Sequence, residues 1–293
     1  MFLTSSAGAV VIGSKISDQL NFYKNRHKII IINADGGLDG LHLVSPVNNY
    51  FLKKYRPNII RSLRDDLKMI DLDYSFGRED FFLNPGASCL LRLFKENTLS
   101  FVHATGLKEE YSRHSDARSI YNNHLYNLAK DKIHFIKNKN LGQGLDIIYE
   151  KINNNSALHP VTLVNHTGWD HHNNLPSEYK IKINELSTRI YSFWESLKKN
   201  QENVSIIVTT EFGRSVRENY SLGCDHGAAS VMMILSRKIN GGQIYGNWPG
   251  LEESQLSDGG LKVTLDSRQV LNEIMYMVYS ENNFTNRGIK LFI

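Results

Sequence analysis

The chain has 293 residues, of which 41% are hydrophobic and 22% charged, the proportions of an ordinary globular protein and not those of a disordered or fibrous one. Its 34 basic and 30 acidic side chains leave a formal net charge of +4 and are scattered, without the basic block of an electrostatic nucleic-acid binder, so no nucleic-acid partner is expected. The two cysteines, Cys89 and Cys224, lie far apart with no C-x-x-C spacing, which excludes a zinc knuckle and a thioredoxin motif.

Residues 1–14 (MFLTSSAGAVVIGS) are small and apolar and turn polar at Lys15, in the manner of the hydrophobic part and small-residue end of a secretory signal. The stretch is too short to span a bilayer, and no positive segment precedes Phe2. Residues 1–20 are therefore expected to be the remnant of an export signal, either one whose start lies upstream or one whose export function has been lost. A loose N-terminal arm or a first helix is the competing reading. Residues 21–293 are expected to form a single α/β domain, and no later segment is long and apolar enough for a membrane helix.

Residues 28–33 (KIIIIN) form a continuous β-branched run followed at once by Gly36-Gly37 and Asp39-Gly40, the grammar of a fully buried parallel strand ending in a loop. Residues 99–104 (LSFVHA), 161–165 (VTLVN) and 204–210 (VSIIVTT) share that grammar. Each releases polar residues directly after its last apolar one. Residues 231–235 (VMMIL) instead follow their polar cluster, Asp225-His226-Gly227. Between the runs lie helical patterns, the clearest being Leu186, Ile190, Phe193, Trp194 and Leu197, a stripe suited to facing a sheet. Residues 140–158 are expected to be a loop, a short helix and an Asn-rich connection, and residues 251–260 a polar surface loop. Alternating strands and helices predict a three-layer α/β sandwich around a central, mostly parallel sheet, with strands 29–33, 161–165 and 204–210 in its middle. In such sheets ligands sit outside the carboxyl ends of the strands.

The strand-end clusters bring Asp39, Arg113-His114-Ser115-Asp116, Asp170-His171-His172, Glu211 with Arg214, and Asp225-His226 to one topological edge. Carboxylates and imidazoles without thiolates suit a divalent ion, whether zinc, manganese or calcium. Each cluster alone has a bland reading. Asp39 could cap a turn, a His–His pair is often surface, Glu211 with Arg214 could be an ion pair at a helix start, and Asp225 could cap its own turn.

The succession Gly36-Gly37-Leu38-Asp39-Gly40-Leu41, Gly168-Trp169-Asp170-His171-His172, Thr210-Glu211-Phe212-Gly213-Arg214, Asp225-His226-Gly227 and Tyr245-Gly246-Asn247-Trp248-Pro249-Gly250-Leu251 resembles the bacterial domain-of-unknown-function family 1501. The resemblance runs from about Ile29 to Tyr279. It implies an alkaline-phosphatase-like fold, related to sulfatases, and export by a Tat-type signal to the periplasm or beyond; without such a signal the protein would stay in the cytoplasm. It further implies metal ligands at Asp39, Asp170, His172, Glu211, Asp225 and His226. Asp170, His172 and His226 resemble one complete three-ligand site. Glu211 is followed by Phe212 where the superfamily places an Asp-His pair, so the other site lacks an imidazole. A nucleophile is implied near residues 112–116, where family members tend to show Ser-His and this chain has Arg113-His114, so the hydroxyl comes from Ser112 or Ser115 or is absent; His114 is implied as acid, base or orienting residue, and Arg113 and Arg214 as contacts to an anion. The function so implied is metal-dependent hydrolysis of small anionic phosphate or sulfate esters. The alternative is a catalytically silent exported metal-binding or ligand-binding protein of the same fold.

Overall fold

Four consecutive isoleucines, Ile29 to Ile32, are all fully buried, so both faces of their strand must be covered. Residues 27–76, 79–108, 114–129, 133–137 and 139–279 are described by a computed structural model; the expected export signal, Ser112 and Arg113 lie outside them. Eight strands form the central sheet: β1 (Lys28–Asp35), β2 (Leu99–Gly106), β3 (Ile133–Ile136), β4 (Val161–Thr167), β5 (Val204–Thr209), β6 (Ser230–Ser236), β7 (Ile244–Tyr245) and β8 (Leu265–Asp266). Their order is β7-β2-β6-β5-β1-β4-β3, with β8 also pairing with β2. Strands β1, β4 and β5 are adjacent and parallel, with Ile29 level with Val161 on one side and Ser205 on the other, as their unbroken apolar character predicts.

The alternation of side chains along β1 divides the core in two. The helix Tyr50–Tyr55 is α1. Ile30 and Ile32 join α2 (Ser88–Lys95), α4 (Leu141–Asn153) and α5 (Leu175–Leu197) on one face, while Ile29 and Ile31 join α3 (His114–Ala129) and α6 (Ser267–Tyr279) on the other. The result is the expected three-layer arrangement. Burying each isoleucine contributes about 1.5–3 kcal/mol, which makes this strand the thermodynamic centre of the sheet.

β6 is the exception to parallel order, running antiparallel to both β2 and β5. Ser230, its first residue, is level with Thr105 near the carboxyl end of β2. The loop that enters β6 therefore sits at the same edge as the loops that leave the parallel strands. That inversion brings residues 225–230 to the carboxyl edge.

Two expectations change. Residues 140–158 hold a 13-residue helix, α4, opened by a reciprocal cap between Asn140 and Gln143. Glycines weaken its helical signal, but a Cβ at Gly144 would come within 2.7 Å of Val164 Cγ1, so glycine lets the helix lie close on β4. Residues 251–260 are partly ordered into a short 3-10 turn, Glu253–Gln255, and a two-residue strand pairing Leu256–Ser257 with Gly260–Leu261. Among the described residues, no helix is long and apolar enough to cross a membrane.

Candidate metal centre

At the carboxyl end of β1 the chain turns through Gly36 and Gly37, with φ of 125° and 87°, values that side-chain-bearing residues rarely adopt. The turn leaving β4 packs directly on it. The Trp169 amide donates to the Asp35 carbonyl at 3.2 Å, and a Cβ on Gly36 would fall 2.6 Å from the Asp170 nitrogen. The loop entering β6 closes the other side: Cys224 N donates to the His171 carbonyl at 3.1 Å, and Asn219 Nδ2 to the His172 carbonyl at 2.9 Å. A two-residue ladder pairs His226 with Arg214. Three loops thus lock one another at the sheet edge.

Asp170, His172 and His226 converge there, with ligand-type atoms all within 4.8 Å of one another. His172 Nε2 lies 3.0 Å from Asp170 Oδ1 and 3.2 Å from His226 Nε2, and His226 Nε2 lies 3.5 Å from the same carboxylate oxygen. His172 and His226 are partly exposed and Asp170 about half exposed, so the cluster opens to solvent. His172 Nδ1 is 3.0 Å from Asp225 Oδ1. A proton on Nδ1 satisfies that carboxylate and leaves Nε2 as a lone pair aimed at the cluster. This hydrogen bond holds the Asp225 carboxyl below the usual carboxylate range.

The donor set fits a divalent ion. Two imidazole nitrogens and one carboxylate oxygen, each about 2.0–2.1 Å from a tetrahedral ion, would stand about 3.3 Å apart, close to the separations observed, with one position left for water or substrate. The Asp225–His172 contact is of the kind that orients a ligating histidine.

The other expected ligands are held elsewhere. Asp39 is almost fully buried, and its Oδ2 pairs at 2.6 Å with Arg56, itself inaccessible. Arg56 also donates to the Val216 carbonyl at 2.9 Å and to that of Ser215. Glu211 is buried, accepts from the Gly36 amide at 2.9 Å, and lies 3.9 Å from Arg118. Asp225 stands behind His172, facing Nδ1 and not the cluster centre. Of the His–His pair, His171 turns inward beside Tyr179 and is pushed down to about 4 by burial and then by Arg214.

Arg214 is not one helical turn beyond Glu211, because Gly213–Arg214 is extended. The guanidinium is buried. It donates to the carbonyls of Gly37 at 2.9 Å, Cys224 and Trp169 each at 3.1 Å, and Gly36, and to Asp170 Oδ1 at 2.5 Å. Its donors tie the three loops together and hold the Asp170 carboxylate, in place of the open fork expected for an anionic ligand. His114 begins α3, and Ser115 is exposed there, its hydroxyl 3.2 Å from Asp116 Oδ1.

Three residues at this edge escape the motif reading. Asp35, the last residue of β1, pairs with Arg118 of α3; its position at a strand's carboxyl end was the available signal. Arg56 gave none, since it lies between the short helices Tyr50–Tyr55 and Pro57–Arg61 and meets Asp39 only through tertiary packing. Asn219 lies in a loop with no pattern of its own.

Residues 159–269 match the family described as "Protein of unknown function (DUF1501)". This segment carries Asp170, His172, Arg214, Asp225 and His226, and omits β1. No curated protein matches the chain. Among solved structures, the chain is similar to the PH0037 protein from Pyrococcus horikoshii, with 12% identity, 89% of this chain and 99% of that one covered, and a TM-score of 0.40. It is also similar to the lipoteichoic acid synthase LtaP from Listeria monocytogenes, with 8% identity, coverages of 86% and 81%, and a TM-score of 0.41. The PsFucS1 sulfatase from Pseudoalteromonas sp. is a third, with 9% identity, coverages of 96% and 74%, and a TM-score of 0.34.

Proposed function

We propose that the protein is an exported, metal-dependent hydrolase of phosphate or sulfate esters. The reading rests on one observation: Asp170, His172 and His226 bring their ligand atoms within 4.8 Å at a solvent-open sheet edge. A divalent ion held there would supply Lewis acidity toward an ester oxygen. Asp225 would keep the His172 lone pair on the ion, and Arg214 would fix the Asp170 oxygen. The start of α3 belongs to the same edge, because Arg118, one turn after His114, pairs with Asp35 at the end of β1. His114 would serve there as acid or base, Ser115 as nucleophile and Arg113 as an anion contact.

A second reading is a silent binding protein with one structural metal. It is favoured by the internal neutralisation of Asp39 by Arg56 and the enclosure of Arg214 among carbonyls. Elemental analysis of the purified protein, with turnover of aryl phosphate and aryl sulfate in added zinc, manganese or calcium, separates the two. Stoichiometric metal with turnover that disappears in His172→Ala supports the hydrolase. Stoichiometric metal without turnover supports the silent protein, and absence of metal binding overturns both.

A further inference from the structure

A cavity of about 600 Å³ is lined in part by Asn165, His166 and Thr167 at the end of β4. Its size is that of a small-molecule site. It opens at the carboxyl ends of β3 and β4, where α/β sheets receive ligands, and its walls include Lys137, Lys139, Lys182 and Glu185. Phe135 and Ile136, both partly exposed, supply apolar surface.

The charge in this cavity is unbalanced. Among the described residues that line it, the acidic one is Glu185, which is already engaged on its own wall, accepting from His166 Nε2 at 3.1 Å and lying 3.3 Å from Lys182 Nζ. His166 Nδ1 accepts from the Trp169 indole at 3.2 Å, which leaves Nε2 as the protonated nitrogen facing Glu185. Among the described residues, no carboxylate pairs with Lys137 or Lys139. The described walls thus carry three lysines against one carboxylate, which is itself engaged. The first turn of α4 adds to the same sign, since Asn140 and Leu141 line the cavity and a helix start carries positive potential.

We propose that this cavity binds a small molecule through a tetrahedral oxyanion, phosphate or sulfate, held by Lys137, Lys139 and Lys182, with the body of the ligand against Phe135 and Ile136. The site is separate from the metal cluster and does not depend on hydrolysis there. Thr167 lines the cavity, Asp170 follows three residues later, and Lys182 Cε lies 2.8 Å from where a Cβ on Gly168 would be.

The test is calorimetric titration of the protein with inorganic phosphate and sulfate in the presence of EDTA, at ionic strength matched with chloride. Saturable binding is expected, weakened about tenfold or more in the Lys137→Ala/Lys139→Ala double variant and in Lys182→Ala, because each removes a charge-assisted contact. Glu185→Gln is expected to tighten it, and His172→Ala to leave it unchanged. Binding that chloride abolishes, or that survives in all the lysine variants, overturns the proposal. So does binding lost in His172→Ala alone. Repeating the titration with 1,6-hexanediol bisphosphate, with and without zinc, assigns the source. Affinity raised by zinc marks the cavity as a second subsite for a substrate of the metal centre; equal affinity marks it as a site for a separate anionic ligand.

Discussion

Asp225 Oδ1 lies 3.0 Å from His172 Nδ1, while Nε2 of the same ring lies 3.0 Å from Asp170 Oδ1; one imidazole thus links a supporting carboxylate to the carboxylate of the cluster. Asp225→Ala is expected to weaken zinc affinity by about 10–100-fold, and Asp225→Asn by less, since its carbonyl still accepts from Nδ1. His172→Ala and His226→Ala are expected to abolish stoichiometric binding. Equilibrium dialysis checks the series, and unchanged affinity in Asp225→Ala would remove its orienting role.

Arg214→Lys exchanges a planar five-donor group for a point charge in a buried position that spans four carbonyls and a carboxylate. Each orphaned buried acceptor costs about 1–3 kcal/mol. The variant is expected to melt well below the parent and to lose zinc affinity in step, as Asp170 loses its anchor. Thermal unfolding measured beside metal binding decides this. A variant with parental stability that fails to bind an oxyanion would return Arg214 to the role of substrate contact.

Asp39→Ala strands the buried Arg56 guanidinium, which costs about 3–5 kcal/mol when a partner of a buried pair is removed. Joining it with Arg56→Met is expected to recover a large part of that loss in urea unfolding. If Asp39→Ala instead left stability unchanged and lowered metal stoichiometry, Asp39 would be a ligand after all.

Gly36→Ala is expected to expel the metal without melting the sheet, because its Cβ would fall 2.6 Å from the Asp170 nitrogen at a φ of 125°. Zinc affinity and far-ultraviolet circular dichroism measured together report the two effects separately.

His103 is fully buried and pushed down to about 4 by burial. Its Nε2 faces the Val44 carbonyl at 2.9 Å and its Nδ1 accepts from the Ala104 amide at 2.9 Å, so a second proton would oppose a hydrogen-bond donor. Protonation is easier in the unfolded chain, where histidine titrates near 6.5. Its contribution to stability is therefore complete above that pH and declines, by about 1.4 kcal/mol per unit, as pH falls toward 4. His103→Gln is expected to flatten the dependence of the melting temperature on pH across that window by one proton's worth. An unchanged slope would show that His103 already carries a second proton in the folded protein.

The strands were legible because burial on both faces writes itself as unbroken runs such as Ile29 to Ile32. Asp170, His172 and His226 were legible because each falls just outside such a run. What the chain does not record locally is which charges will consume one another. Arg56 comes from a junction of short helices and reaches Asp39 through packing alone. Arg214 follows Glu211 at a spacing that suggested a helical turn, yet the Cβ-free Gly213, whose added Cβ would meet the Ala229 carbonyl oxygen at 1.8 Å, lets the segment run extended against the β6 entry. The short edge strand Ile133–Ile136 was missed because four residues leave too brief a pattern.

The position of β1 between β4 and β5 bears on how the chain could be divided. All three members of the cluster come from the half after residue 159, but the two parallel strands on which their loops depend touch only through a strand from the other half. A polypeptide cut in the connection before β4 would thus yield one fragment holding the ligands and another holding the keel, and zinc capture would report their reassembly.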